Sequence, residues 1–170
     1  MRRFGNFRPG RGFTLVEMLT TLSVIGVLLA IAAPGLRSLA LNQGVKSAAF
    51  DLFSALQYAR SEAIKRPGQT VTLKSGATSD GAWSTGWRLV FSTPPSTVET
   101  SIRTWTAASN ISIADKNSPA LTAVSFTNDG HASAAPKLEV KSASTVNGVS
   151  TRCVKVDLIG RPLASLGPCS

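Results

Sequence analysis

Residues 8–19 read Arg8-Pro9-Gly10-Arg11-Gly12-Phe13-Thr14-Leu15-Val16-Glu17-Met18-Leu19, and they open an apolar run that continues to Ala33, just before Pro34. Between Phe13 and Ala33 the only charged residue is Glu17. A helix of roughly 20 such residues, rising about 1.5 Å per residue, spans the hydrocarbon core of a bilayer. Four arginines (Arg2, Arg3, Arg8, Arg11) precede the run, and only Arg37 follows closely. Positive flanks stay cytoplasmic, so the remainder of the chain is expected beyond the inner face. An acid at the centre of a membrane helix costs roughly 2.5–3.5 kcal/mol. Glu17 lies about one turn in, where snorkelling reduces that cost.

Gly12-Phe13-Thr14-Leu15-Val16-Glu17 resembles the prepilin cleavage motif of type IV pilins and type II secretion pseudopilins. The resemblance implies cleavage by a prepilin peptidase between Gly12 and Phe13, with N-methylation of the new amino terminus on Phe13. It also implies an assembly role for Glu17, and it sets Pro34 where pilins carry a helix-kinking proline. The physics agrees, because an intramembrane carboxylate needs a cation and the Phe13 amine of a neighbouring subunit supplies one. A mismatch in axial register would leave a desolvated charge unpaired. An ordinary signal peptide, with Ala30-Ile31-Ala32 as its cleavage site, fits less well, since the run is longer than a usual h-region and contains Glu17. A plain single-pass anchor leaves Glu17 unexplained.

From Leu36 to Arg66 the helical pattern resumes. Val45, Ala49, Leu52, Leu56, Ala59 and Ala63 recur at three- and four-residue spacing as one apolar stripe. Lys46, Asp51, Gln57, Arg60 and Glu62 fall on other faces, and Pro67-Gly68 ends the run. Pro34-Gly35 is expected to bend the helix without ending it. The rest reads as short alternating strands. Val71 and Leu73 mark the first, Trp87, Leu89 and Phe91 the second, and Ile102 to Trp105 the third. Val124 and Phe126 precede the turn Asn128-Asp129-Gly130, and the last two strands carry Leu138 and Val140, then Val154, Val156 and Leu158. Ser/Thr/Gly/Pro-rich connections occupy 75–86, 92–100, 114–120 and 142–151. The organisation expected is a leader at 1–12, a transmembrane segment at 13–34, an amphipathic continuation at 35–67 and a β domain at 68–170. This is an α+β, pilin-like fold, with a long N-terminal helix packed on an antiparallel sheet.

The helix together with Trp83, Gly86-Trp87-Arg88-Leu89-Val90-Phe91, the Phe126 to Gly130 turn and Val154 through Arg161 resembles FimT/GspH-type minor pilins across essentially the whole chain. FimT-like pilins that aid DNA uptake carry a C-terminal Gly-Arg-x-Arg motif. Gly160-Arg161-Pro162-Leu163 matches its first arginine and replaces the second with Leu163. The resemblance makes Arg161, with Lys155 and Arg152 and with Lys137 or Lys141 beside them, a candidate DNA-contacting patch. The competing reading is a solvated hairpin tip.

The 170 residues, of 17.8 kDa, carry a net charge of +9. Without the leader, 14 Lys+Arg stand against 9 Asp+Glu, a net +5. That excess is compatible with nucleic acid or anionic surfaces and diagnostic of neither. Cys153 and Cys169 are the only cysteines, and in an exported domain they are expected to form a disulfide closing a C-terminal loop. No P-loop, dinucleotide fingerprint or metal-ligand spacing is present, so no cofactor or metal is expected. His131, the only histidine, reads as a turn residue, and Trp83, Trp87 and Trp105 read as core or sheet-face residues. The chain therefore reads as a non-enzymatic minor pilin or pseudopilin of the inner membrane with a periplasmic domain. Its expected partners are other pilin subunits and prepilin peptidase. The alternatives are a DNA-binding type IV minor pilin and a membrane-anchored periplasmic enzyme.

Overall fold

The computed structural model describes residues 12–79 and 81–170. The basic leader with Arg2, Arg3, Arg8 and Arg11 lies outside the described residues. Helix α1 spans Leu15–Lys65. Its start is set by Thr14, whose hydroxyl accepts the Glu17 backbone N–H at 3.2 Å, as an N-cap residue does for the third helical position. Helical structure continues through positions 34 and 35, and the bend expected there rests on Pro34, whose side chain is not described. The end comes as expected at Pro67 and Gly68, the glycine at φ +78°.

The chain divides into two compact units, residues 1–37 and 38–170. In the first, every described side chain is exposed, including Leu, Ile and Val throughout the apolar run. The helix is long and apolar enough to cross a membrane.

The second unit is built on the other half of α1. All six residues of its expected stripe are buried, joined by Ala48 and Ala55. Eight strands follow: β1 (Thr70–Ser75), β2 (Trp87–Ser92), β3 (Thr100–Trp105), β4 (Ile111–Asp115), β5 (Ala123–Phe126), β6 (Lys137–Ser142), β7 (Arg152–Val156) and β8 (Pro162–Leu166). They form two four-stranded antiparallel sheets, ordered β3-β2-β1-β5 and β4-β6-β7-β8. The helix stripe, Val71 and Leu73 of β1, Trp87 and Leu89 of β2, and Leu138, Val140, Val154 and Val156 of the second sheet share one core. A 3₁₀ turn, Trp83–Thr85, links the sheets. The Ser84 hydroxyl accepts the Ile113 N–H and donates to the Ile113 carbonyl, both at 2.9 Å, which closes the outer edge of β4.

Sequence reading missed β4, β8, the 3₁₀ turn and the burial of two acids, and it misplaced one side chain. Leu158 does not continue the inward face of β7, because the strand ends at Val156 and Leu158 sits exposed in the following turn. Glu139 faces away from the core as its spacing requires, yet it is buried beneath Lys116, whose Nζ lies 3.2 Å from its carboxylate. Glu62 is also buried, held by Lys65 and Arg66 at 3.3 and 3.1 Å. Arg66 in turn lies 4.7 Å over the Phe91 ring.

Burial pushes the Glu62 carboxyl up, but hydrogen bonds from Arg66 and Lys65 and their charges together outweigh it, so its pKa is lowered. A depressed folded pKa gives stability that is present above the unfolded value and lost as pH falls through the folded one. Glu62→Gln should therefore flatten the acid limb of the stability profile. Denaturant melts of the detergent-solubilised chain across the carboxylate range check this, and a limb as steep as wild type would count against it.

Candidate functional site

Two regions hold the residues singled out by sequence. At the N-terminus, Gly12, Phe13 and Thr14 precede the helix, and Phe13 is 77% exposed. Glu17 lies in the first turn, exposed, with no cation in ion-pair reach among the described residues. The arrangement offers an accessible peptide bond at Gly12–Phe13 and a free carboxylate one turn into an apolar helix.

The second region is the β7–β8 hairpin. Its turn closes through the Gly160 N–H to the Asp157 carbonyl at 2.9 Å and the Asp157 N–H to the Arg161 carbonyl at 3.2 Å. The Asp157 carboxylate accepts the Arg161 N–H at 2.7 Å and lies 3.5 Å from the Arg161 guanidinium. Arg161 thus has its own acid, a partner that sequence reading did not assign. The spacing Asp157-x-x-Gly160, an acid three residues before a turn glycine, was the available signal. Gly160 has φ +77°, and a Cβ there would lie 1.8 Å from the Gly130 carbonyl oxygen. The Ala132 N–H bonds the Leu158 carbonyl, so this turn is seated against the Thr127–His131 turn.

Strand parity decides which basic residues meet. Arg152, Val154 and Val156 face α1, whereas Cys153 and Lys155 face outward. Arg152 and Lys155 are therefore on opposite faces of β7, and the structure does not bring them together. Lys155 pairs instead with Lys137 on one side and Leu163 on the other. Opposed residues share a face, so Leu163, Lys155 and Lys137 form a row across the outside of the second sheet. Lys141 and Lys116 lie on the same face around Glu139. Cys153 and Cys169 are disulfide-bonded, which holds the C-terminal tail to this face.

His131 lies in its turn with Nδ1 2.9 Å from Asp129. The Thr127 hydroxyl and the His131 backbone N–H donate to the Asp129 carboxylate and hold its pKa below the usual range. The Thr127 hydroxyl bonds the His131 backbone carbonyl at 3.1 Å, and among the described residues no serine or threonine hydroxyl is bonded to the imidazole. Trp83 and Trp87 are in the core, and Trp105 is partly buried against it. No cluster of three or more potential metal ligands occurs among the described residues.

A family model described as type II transport protein GspH matches residues 48–160, more than half of the chain. The chain belongs to the GspH family. Members are structural pilin subunits, and membership brings assembly with other pilin subunits in a filament. A second model, the prokaryotic N-terminal methylation motif, matches residues 8–33. The GspH fold of this chain is similar to two crystal structures of the type IV minor pilin FimU of Pseudomonas aeruginosa. One is 20% identical with a TM-score of 0.56 and covers 71% of this chain and 91% of the other. The second is 22% identical, also at 0.56, and covers 73% and 88%. The minor pseudopilin EpsH from the type II secretion system of Vibrio cholerae is 10% identical at a TM-score of 0.49, covering 76% and 96%. No curated protein sequence matches this GspH member at a significant level.

Because the two turns touch through a glycine, Gly160→Ala should destabilise the domain by roughly 1–3 kcal/mol from backbone strain alone, with the clash in addition. Thermal unfolding against the exposed control Gly148→Ala, which has a similar φ but open space around it, separates the two contributions. Equal losses in both variants would remove the turn-packing account.

Proposed function

We propose that this chain is a minor pilin or pseudopilin made as a prepilin, with leader 1–12, membrane segment 13–34, helical continuation 35–67 and β domain 68–170. Prepilin peptidase cuts between Gly12 and Phe13, and Phe13 is then N-methylated. Before assembly, the apolar helix anchors the chain in the inner membrane with the β domain in the periplasm. In the filament, Glu17 pairs with the Phe13 amine of a neighbouring subunit, and the β domain contacts other subunits of a type II secretion pseudopilus or type IV pilus. The observation carrying this reading is the free Glu17 carboxylate on an otherwise uncharged, wholly exposed helical segment. An intramembrane acid without an internal partner favours an external one.

Gly12→Ala should leave a precursor retaining all twelve leader residues by intact mass, whereas Glu17→Ala should be processed yet fail to enter filaments. Normal shortening of Gly12→Ala would sink the prepilin assignment. Full incorporation of Glu17→Ala would remove the pairing role.

A second reading, DNA binding in a type IV system, is favoured by the Lys155–Lys137 row beside the Arg161 turn. Lys155 places a cation one strand from Leu163, the position where the FimT-like motif has its second arginine. Arg161 is exposed in its pair with half-buried Asp157, a surface pair worth about 0–1 kcal/mol, so a phosphate competes for it at small cost. Binding of duplex DNA by the detergent-solubilised chain should weaken steeply with salt. Arg161→Ala and Lys155→Ala should each reduce the log–log slope by about 0.9 if each loses one phosphate contact. No binding at low salt leaves the secretion role.

A further inference from the structure

The first sheet-facing stretch of α1 beyond residue 38 is incompletely covered. There Lys46, Ala49, Phe50 and Phe53 of the helix and Arg152 and Ala164 of the second sheet line an open groove of about 440 Å³. The groove exists because β8 overhangs the helix with too little side chain. Its helix-facing residues are Pro162, Ala164 and Leu166, and only Pro162 is buried. Phe50 is 66% exposed and Leu166 68%. Two cations, Lys46 and Arg152, stand in this apolar lining, and neither forms an ion pair among the described residues.

The same groove ends at an open sheet edge. β8 is the last strand of its sheet, so among the described residues one row of its backbone N–H and C=O groups has no strand partner. The opposite edge of that sheet, β4, is closed by Ser84. Edge strands are usually blunted by charge, and Leu163-Ala164-Ser165-Leu166 carries none. A helix beside an open strand edge is the geometry in which an extended peptide adds a strand and seats alternate side chains in the groove.

We propose that this groove binds an extended segment of a different, acid-bearing filament subunit. The segment pairs its backbone with β8, seats an apolar side chain on Phe50 and Phe53, and presents a carboxylate to Lys46 and Arg152. The proposal rests on the reading of this chain as a filament subunit. Charge selects the occupant: a copy of this chain is basic, at +5 without the leader, whereas the two unpaired cations call for an acid.

The test places a photoreactive phenylalanine analogue at position 50 of the full-length chain in its own host and reads both adduct and leader removal. The expected result is a leader-free chain crosslinked to another prepilin-type subunit, through a segment containing Asp or Glu identified by mass spectrometry. The adduct should fall at least tenfold in Lys46→Glu/Arg152→Glu, and reversal of the partner's acid to Lys should restore it. A processed chain giving no subunit adduct, or only lipid adducts, overturns the docking site alone. An adduct unchanged by the charge reversal, in a variant that melts as wild type does, overturns the role of the two cations and with it the proposal. A chain that keeps its leader overturns the filament reading and the docking site together.

Discussion

The constraint on which the rest depends is that one helix carries two kinds of surface. Its first part presents apolar side chains all round, and its second part concentrates them on a stripe from Val45 to Ala63. Two sheets meet on that stripe and share its core. Alanines at 48, 49, 55, 59 and 63 keep the helix surface low, so strands can approach while Leu52 and Leu56 fill the space between them. Burial of each leucine contributes roughly 1.5–3 kcal/mol, enough that the helix organises the domain and is not merely appended to it.

Much of this was legible because burial imposes periodicity. The stripe on α1 and the alternation in β1, β2, β6 and β7 each bury one face, and the pattern records it. β4 escaped notice because its inward residues are only Ile111 and Ile113 between polar connections. β8 escaped because Pro162-Leu163-Ala164-Ser165-Leu166 buries only the proline and so leaves no alternation to read. Glu62 and Glu139 show the complementary limit. Their spacing placed them correctly off the core face, but burial by Lys65, Arg66 and Lys116 depends on partners that the local pattern does not identify.

The candidate sites divide in the same way. Phe13 and Glu17 were singled out by their place in a local motif, which does not depend on tertiary structure. The basic patch depended on geometry. Arg152 and Lys155 are three residues apart, an odd spacing that strand parity sends to opposite faces, whereas Lys137 and Lys155 are distant in sequence and adjacent in space. Arg152 belongs to the helix groove, and Lys155 to the outer face. The packing of Gly160 on the Gly130 carbonyl ties the Arg161 turn to the end of the first sheet, so its position is fixed by both layers.

The Thr14 cap has a consequence for proteolysis. A peptidase needs its scissile bond in extended backbone, and a bond inside a helix is reached only by unwinding a turn. Here the helix begins at Leu15, and the orphan donor at its third position is satisfied by Thr14, on the carboxyl side of the Gly12–Phe13 bond. Cutting that bond removes no helical hydrogen bond and no cap. A chain cut there would keep the same helical start, with Phe13 and Thr14 ahead of the helix and Glu17 in its first turn.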